Sequence, residues 1–276
     1  MKNADPNVIN DFGREWTRFS QDGIDKELFD AFQRYFSIFP LDRLTPESVV
    51  ADFGCGSGRW AKFVAPRVKT LYLVEPSRSA LDIACNNLRN HTNFIPLCST
   101  INDCAIEDGS LDFAYCIGVL HHIPDTESAF AKIASKIRRG GYLLVYMYYN
   151  FENKPFWFRY LWRAVDMLRK IISRMPFRLK ALIADVLAAL VYAPVVAIGS
   201  IMNKIGALPQ AFPLRDYIGK SFYTMRTDAL DRFGTSIEKR YSRADIKLLF
   251  EKTGFDVSTL VIADTPPYWC AVCRRV

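Results

Sequence analysis

A chain of 276 residues, half of them hydrophobic and 24% charged, has enough apolar side chain to bury a full core, which excludes a disordered or fibrous protein. Seven cysteines without a regular framework exclude a disulfide scaffold and fit a reducing compartment. The net charge of +7 raises nucleic acid and anionic membrane as partners, yet most of the surplus is local: residues 151–180 hold eight basic residues against Glu152 and Asp166.

The polar opening Met1-Lys2-Asn3-Ala4-Asp5-Pro6 has no apolar core of a secretory signal, so a cytoplasmic location is expected. Leu28, Ala31, Phe32, Tyr35 and Phe36 recur at helical spacing, and residues 1–47 are expected to form an N-terminal helical cap. Next comes Val49-Val50-Ala51-Asp52-Phe53-Gly54-Cys55-Gly56-Ser57-Gly58-Arg59-Trp60. An apolar run too short for a helix meets three alternate glycines, and the helical pattern of Trp60, Phe63 and Val64 follows, so the stretch reads as strand, tight turn, helix. Glycine suits that corner because its missing Cβ admits positive φ and lets a ligand lie against the main chain. The next strand, residues 70–74, ends in Glu75, about 20 residues beyond the turn, where a carboxylate can accept both hydroxyls of a ribose.

A dinucleotide site asks for G-x-G-x-x-G, and here the last position is Arg59. The run Asp52-x-Gly54-x-Gly56-x-Gly58, followed by Glu75, instead resembles the first motif of the class I S-adenosylmethionine-dependent methyltransferases. The resemblance implies S-adenosyl-L-methionine as cofactor, with Asp52 helping to hold its amino-acid part, Gly54, Cys55, Gly56 and Gly58 lining it, and Glu75 and Pro76 at its ribose. After strand three, residues 93–97, the family passes the adenine with an acidic side chain. Here Thr100 takes that place, which leaves Asp103 or a main-chain carbonyl for the contact, beside Ile101.

Strand four, residues 111–116, leads into Ile117-Gly118-Val119-Leu120-His121-His122-Ile123-Pro124-Asp125. Ligands of an open parallel sheet sit beyond the carboxyl ends of its strands, so Ile117 is expected at the cofactor and both histidines at the mouth. The L-H-H-I-P-D pattern is common in the family it resembles. Histidine titrates near neutrality, and phosphobase methyltransferases, which this loop resembles, have a catalytic histidine at the place of His122. His121 is the second candidate, with packing as its alternative role. Family members fold an N-terminal segment over the cofactor, which makes Trp16 and Phe19 candidates for closing the site, simple packing being the other reading.

Gly140-Gly141 is expected to end the helix that follows Asp125, ahead of strand five, residues 142–148. Ser242-x-x-Asp245 caps a helix that Gly254 stops, and residues 255–263 and 268–273 read as a hairpin. Cys270-x-x-Cys273 lies in that last strand with no second pair, so it reads as packing and no metal is expected. The expected fold is α/β: a doubly wound, mostly parallel seven-stranded sheet with a C-terminal antiparallel hairpin and a long, largely helical insertion after strand five. The domains follow as cap 1–47, cofactor-binding core 48–148, insertion 149–241, and C-terminal helix and hairpin 242–276.

In the insertion a helical apolar stripe mixes with the basic residues, and residues 181–203 then carry one charge, Asp185, and are expected to break near Pro194. That second segment is long enough for a bilayer, but a single crossing would separate two strands of one sheet. Three readings stay open: a re-entrant pair of spans, ranked last, a helical lid packed on the core, and a lid that also lies peripherally on the inner face of a membrane through 151–205, its basic residues meeting anionic head groups. Cyclopropane fatty-acid and sterol methyltransferases, similar in fold, have lids or substrate segments in comparable places, which implies an apolar or lipid-linked acceptor. Tyr217, Arg232 and Tyr241 are candidate substrate contacts. The expected function is methyl transfer to an oxygen, nitrogen or carbon of a small-molecule acceptor, without nucleic acid. The alternatives are an RNA methyltransferase, drawn by the basic charge, and a non-catalytic, membrane-associated subunit that binds the cofactor.

Overall fold

The computed structural model describes residues 3–21, 23–209 and 211–276; Met1 and Lys2 of the polar opening lie outside the described residues. The chain forms two compact units, one of Met1–Asn150 with Ile237–Val276 and one of Phe151–Ser236.

In the first unit, β1 (Val49–Phe53), β2 (Thr70–Val74), β3 (Phe94–Leu97), β4 (Leu111–Ile117), β5 (Ile137–Tyr146), β6 (Phe255–Ile262) and β7 (Cys270–Arg275) make one seven-stranded sheet. Their order is β3-β2-β1-β4-β5-β7-β6. The first five strands are parallel, and β7 runs antiparallel to both β5 and β6. Strand order reverses between β1 and β4, so the loops after these two strands flank the crevice where such sheets bind ligands.

Central strands covered on both faces read as continuous apolar runs, and Val50, Ala51 and Phe53 of β1 have no exposed surface. One face packs against α5 (Thr126–Lys136) and α10 (Arg243–Lys252), through Phe130, Ile133, Ile246 and Phe250. The other packs against α2 (Asp25–Tyr35), α3 (Ala61–Val64) and α4 (Arg78–Asn87), through Phe32, Val64, Leu81 and Ala84. The Ser242 and Asp245 side chains cap α10 reciprocally. Cys270 and Cys273 are both buried in β7. Helix α1 (Pro6–Arg18), capped by Asp5, lies against α4 at Gly13, where a Cβ would stand 2.3 Å from the Ser77 hydroxyl.

Two local expectations are corrected. Helix α5 ends at Lys136, and Ile137 already opens β5, so Gly140 and Gly141 lie inside the strand. There Gly140 takes φ +81° and Gly141 passes so close to β4 that a Cβ would meet the Asp112 carbonyl at 2.8 Å, where the register shifts between Leu111 and Phe113. The glycines serve a strand irregularity, not a helix stop.

The second correction concerns Pro194. In the second unit α7 (Phe177–Leu187) and α8 (Ala193–Lys204) are joined by a π-helical turn, Ala188–Tyr192, into one helix of 28 residues. Proline lacks an N–H and its ring presses on the carbonyl one turn back; a wider turn just before it absorbs both, so the helix continues.

The second unit also contains α6 (Phe156–Ile172) and α9 (Phe222–Gly234), and it uses two of the basic residues internally. Arg169 is buried, its Nε 2.7 Å from Asp166 Oδ1 and its Nη1 donating to the Thr235 carbonyl at 2.8 Å. Lys180, also buried, donates to the Gly234 carbonyl at 3.0 Å. Both cations thus donate to carbonyls at the end of α9, which lack N–H donors from a following turn of helix. Arg169→Ala is expected to lower the unfolding free energy of this unit by about 2 kcal/mol, because it leaves the Thr235 carbonyl without this donor and Asp166 with Lys170, 2.8 Å away, as its remaining cation. Denaturant titration followed by circular dichroism checks this, and an unchanged midpoint would contradict it.

Candidate active site

The glycine turn after β1 is held by β2. Gly54 N and Cys55 N both donate to the Val74 carbonyl, at 2.7 and 3.2 Å. Gly54, Gly56 and Gly58 all have positive φ, and a Cβ on Gly56 would stand 2.7 Å from Trp16 Nε1. Backbone shape and close approach therefore both require glycine there.

Across the turn, Glu75 Oε2 accepts from Gly56 N at 3.1 Å and Oε1 accepts from Ser77 N at 2.9 Å. Each oxygen retains a lone pair, so the carboxylate can take two further donors. Burial raises the Glu75 pKa from 4.5 to about 7, against the pull of the Ser77 and Gly56 amides. Asp52, at the same strand end, is buried with Oδ2 outside hydrogen-bond geometry to any described group. Burial pushes its carboxyl well above the ordinary range; the Tyr115 hydroxyl beside it pulls the other way, and Glu75 adds to the rise. Cys55 is buried at the turn, its thiol pushed up by the same desolvation.

Pro76 follows Glu75, and its carbonyl accepts from the Cys98 thiol of the loop after β3. In that loop Thr100 and Asp103 are bonded to each other: Thr100 Oγ1 donates to Asp103 Oδ2 at 3.0 Å and accepts from Asp103 N at 3.2 Å. Thr100 is buried and Asp103 exposed, so the acid is tethered to the position where the family pattern would place one. Ile101 and Ile117 are both buried, Ile101 within the core cluster of β1 and β4.

The loop after β4 makes a short turn, Leu120–His122, in which both histidines are buried. His122 Nδ1 lies 2.6 Å from the Ile237 carbonyl. A carbonyl only accepts, so the ring proton sits on Nδ1 and Nε2 keeps the basic lone pair. Its ring is 5.2 Å from Phe12 and 4.1 Å from His121. His121 stacks on Tyr148 at 3.8 Å, and its Nδ1 accepts from Tyr148 N at 3.4 Å. Burial, reinforced by His122 and Arg240, holds its pKa well below the ordinary value, so His121 is neutral.

Helix α1 runs along these groups, with Phe12 at His122 and Trp16 at Gly56, and the Arg59 guanidinium stands 5.0 Å over the Trp16 ring. Asn87 Nδ2 donates to the Ser20 and Ser57 carbonyls at 3.0 and 2.9 Å, which ties the end of α1 to the glycine turn. Phe19 is buried in packing. The structure thus brings Trp16, Asp52, the glycine turn, Glu75, Ile117 and both histidines to one end of the first unit's sheet. Tyr217 and Arg232 belong to the second unit, where Tyr217 is buried 5.4 Å from the Tyr192 ring and Arg232 acts on the Tyr192 phenol. Tyr241 donates its hydroxyl to Thr126 Oγ1 at 2.8 Å.

Sequence reasoning missed the neighbours of the histidines. Tyr148 stacks on His121, the Arg240 guanidinium stands 5.3 Å over the Tyr148 ring, and Arg240 pairs with the buried Glu238 at 2.6 Å. Lys239 N donates to the His121 carbonyl at 3.0 Å, so residues 237–241 line the histidine turn from more than a hundred positions away. The charged run Glu238-Lys239-Arg240 was the available signal. Among the described residues no group of His, Cys, Asp and Glu is arranged to hold a metal ion.

A family model for the methyltransferase domain matches residues 51–145, from β1 through most of β5. The chain is 31% identical over 96 residues to the ubiquinone biosynthesis O-methyltransferase of Vibrio parahaemolyticus, covering 34% of this chain and 41% of that protein. It is also 31% identical over 107 residues to phosphoethanolamine N-methyltransferase 2 of Caenorhabditis elegans, covering 37% of this chain and 24% of that one. The chain spans well under two thirds of the length of these curated relatives. Among solved structures, a protein of presumed methyltransferase function from Bacillus halodurans matches with a TM-score of 0.51 at 16% identity, over 82% of this chain and 69% of that one.

Strand order and the antiparallel pair at the sheet edge are those of the class I, Rossmann-like methyltransferase fold, and residues 51–145 match its methyltransferase domain. Within that fold, this chain carries a helical insertion between β5 and α10.

Proposed function

We propose that the chain transfers a methyl group from S-adenosyl-L-methionine to an oxygen, nitrogen or carbon atom of a small-molecule acceptor that is apolar or lipid-linked. The observation that carries this is the Glu75 carboxylate, fixed between Gly56 N and Ser77 N across a three-glycine turn at the point where strand order reverses. Its two remaining lone pairs suit the two ribose hydroxyls of that cofactor. Asp52, buried with an oxygen outside hydrogen-bond geometry, suits the ammonium of the cofactor's amino-acid part, which would relieve the cost of its burial. The open backbone of Gly54, Gly56 and Gly58 suits a ligand lying against the main chain.

When bound, the cofactor supplies a methyl group on a sulfonium, whose transfer demands alignment and exclusion of water. Phe12 and Trp16 of α1 provide apolar cover at the histidine turn and at the glycine turn. His122 Nε2 would take the proton of an acceptor O–H or N–H, while the acceptor's own lone pair replaces the carbon–sulfur bond and sulfur leaves with that bond's electrons as a neutral thioether. The Ile237 carbonyl keeps the His122 ring in the required tautomer, and His121, neutral and stacked on Tyr148, positions the turn.

The lipid-linked acceptor follows from the second unit, which exposes large apolar side chains such as Phe156, Leu190 and Ile201 and meets a membrane peripherally through 151–205. The relatives named above are an O-methyltransferase of ubiquinone biosynthesis and a phosphoethanolamine N-methyltransferase, so both accepting atoms occur among them. Burial of Arg169 and Lys180 removes two of eight cations from any RNA-facing surface. Incubation with methyl-labelled cofactor and fractionated cell extract tests the reading: label is expected in the lipid fraction. Label in RNA would select the nucleic-acid alternative, and cofactor binding without any labelled product would select a non-catalytic subunit.

A further inference from the structure

The helices of the second unit are built inside out. At about 100° per residue, α6 divides into three sectors. Phe158, Trp162, Val165 and Arg169 face inward, and the inward face includes a buried ion pair, Asp166 with Arg169. The second sector carries Phe156, Tyr160, Met167, Leu168 and Ile171, each 58–69% exposed. The third, directly beside it, carries Arg159, Arg163 and Lys170, all exposed, the last paired with Asp166.

The long helix repeats the inversion. Small residues, Ala181, Ala184 and Ala188, are buried along with Lys180, while Leu182, Val186, Leu190 and Ile201 point outward. Only 28% of its most apolar 18-residue window is buried. Of the twenty-one exposed large hydrophobics among the described residues, sixteen lie from Phe156 to Phe222. A surface so concentrated marks a partner of matching chemistry.

Charge decides which partner. A two-fold dimer would bring the same patch together twice, placing one arginine stripe against its own copy, and the only acidic residue of α6, Asp166, is buried. An apolar sector flanked by cations, with Trp157 and Tyr160 near its start, fits a layer that is apolar inside and anionic at its rim. We infer that the outward faces of α6 and of residues 177–204 seat the second unit in the plane of an anionic lipid bilayer, with Arg159 and Arg163 on lipid phosphates. This rests on the reading that 151–205 meets a membrane and adds the face, the in-plane orientation and the charge selectivity. The long helix does not cross: Lys180 is bonded inward to the Gly234 carbonyl, and Asp185 is paired with Arg226 at 2.8 Å, charges that a bilayer centre would penalise.

Flotation of the full chain with vesicles tests the inference, using phosphatidylcholine alone and an equimolar mixture with phosphatidylglycerol. The wild type is expected to float with the anionic vesicles, weakly with the neutral ones, and to be released by added salt. The Arg159→Ala/Arg163→Ala variant should bind anionic vesicles about 30-fold more weakly, and Met167→Glu/Ile171→Glu should not bind. These side chains are exposed, and the salt series on the wild type gives the same reading without any variant. Equal binding to neutral and anionic vesicles, or no effect of the arginine changes, overturns the charge-selective inference while leaving membrane contact standing. No binding to either vesicle overturns both. A solution dimer broken by Met167→Glu/Ile171→Glu, without vesicle binding, assigns the face to a second copy and also overturns the inference.

Discussion

Glu75→Gln weakens S-adenosylmethionine binding by about a hundredfold, the loss expected when two hydrogen bonds to a charged acceptor lose that charge. The substitution keeps the side-chain volume, but its NH2 cannot accept from Gly56 N or Ser77 N, so one turn contact is lost along with the charge that the ligand meets. Its signature is in the pH dependence. Folding raises the Glu75 pKa from 4.5 to about 7, so in the absence of ligand the folded chain favours the protonated acid. Ribose hydroxyls donate to the anion, so binding expels a proton below neutrality. Affinity should therefore rise about tenfold per pH unit up to about 7 and then level off, a dependence that Glu75→Gln removes.

The same shift fixes the sign for stability. Because the folded pKa lies above the unfolded value, the contribution of Glu75 is fully present below pH 4.5 and is lost as pH rises through about 7. The difference is about 3 kcal/mol, so the ligand-free protein should be less stable on the alkaline side and gain most from cofactor there. Titration of affinity across neutrality checks both. Flat wild-type affinity, or a Glu75→Gln protein that binds nearly as well, would contradict the assignment.

His122→Ala is the second large effect, and it should fall on turnover alone. General-base removal costs about 10²–10⁴ in rate, while cofactor affinity should change little, because the ring's hydrogen bond is to the Ile237 carbonyl and not to the glycine turn. With saturating cofactor, kcat should drop while the cofactor Kd stays the same. His121→Ala should act differently: it removes the ring stacked on Tyr148, so stability falls while turnover per folded molecule is largely kept. Full turnover by His122→Ala would remove the proposed role.

The parts of the fold that were legible are those encoded locally. A buried parallel strand, three alternating glycines and an acid at the next strand end lie within a few dozen residues, and each has a short-range physical cause. The α/β fold with its terminal antiparallel pair, and the Ser242-x-x-Asp245 capping box, were legible for the same reason. Gly140 misled because a glycine after a helical run usually ends it, whereas here the need for close approach to the Asp112 carbonyl decides. Pro194 misled because a single π-turn, invisible to composition, removes the clash.

The histidine environment was illegible for a different reason. Glu238, Arg240 and Ile237 reach the turn through folding across some 115 positions, and no periodicity in either segment points to the other. The basic run of residues 151–180 was visible, but which cations face inward was not. Arg169 and Lys180 are set apart from Arg163 and Arg178 only by their helical phase relative to α9.

The claim on which all of this depends is that the first unit holds an adenosyl sulfonium between Asp52 and Glu75. Calorimetric titration of the purified, folded chain with S-adenosylmethionine, and with its demethylated product, tests it most directly. A saturable, one-to-one heat for both, with affinity tighter above neutrality than below it, is the predicted result. Silence for both ligands, with binding of a nicotinamide dinucleotide instead, would contradict it.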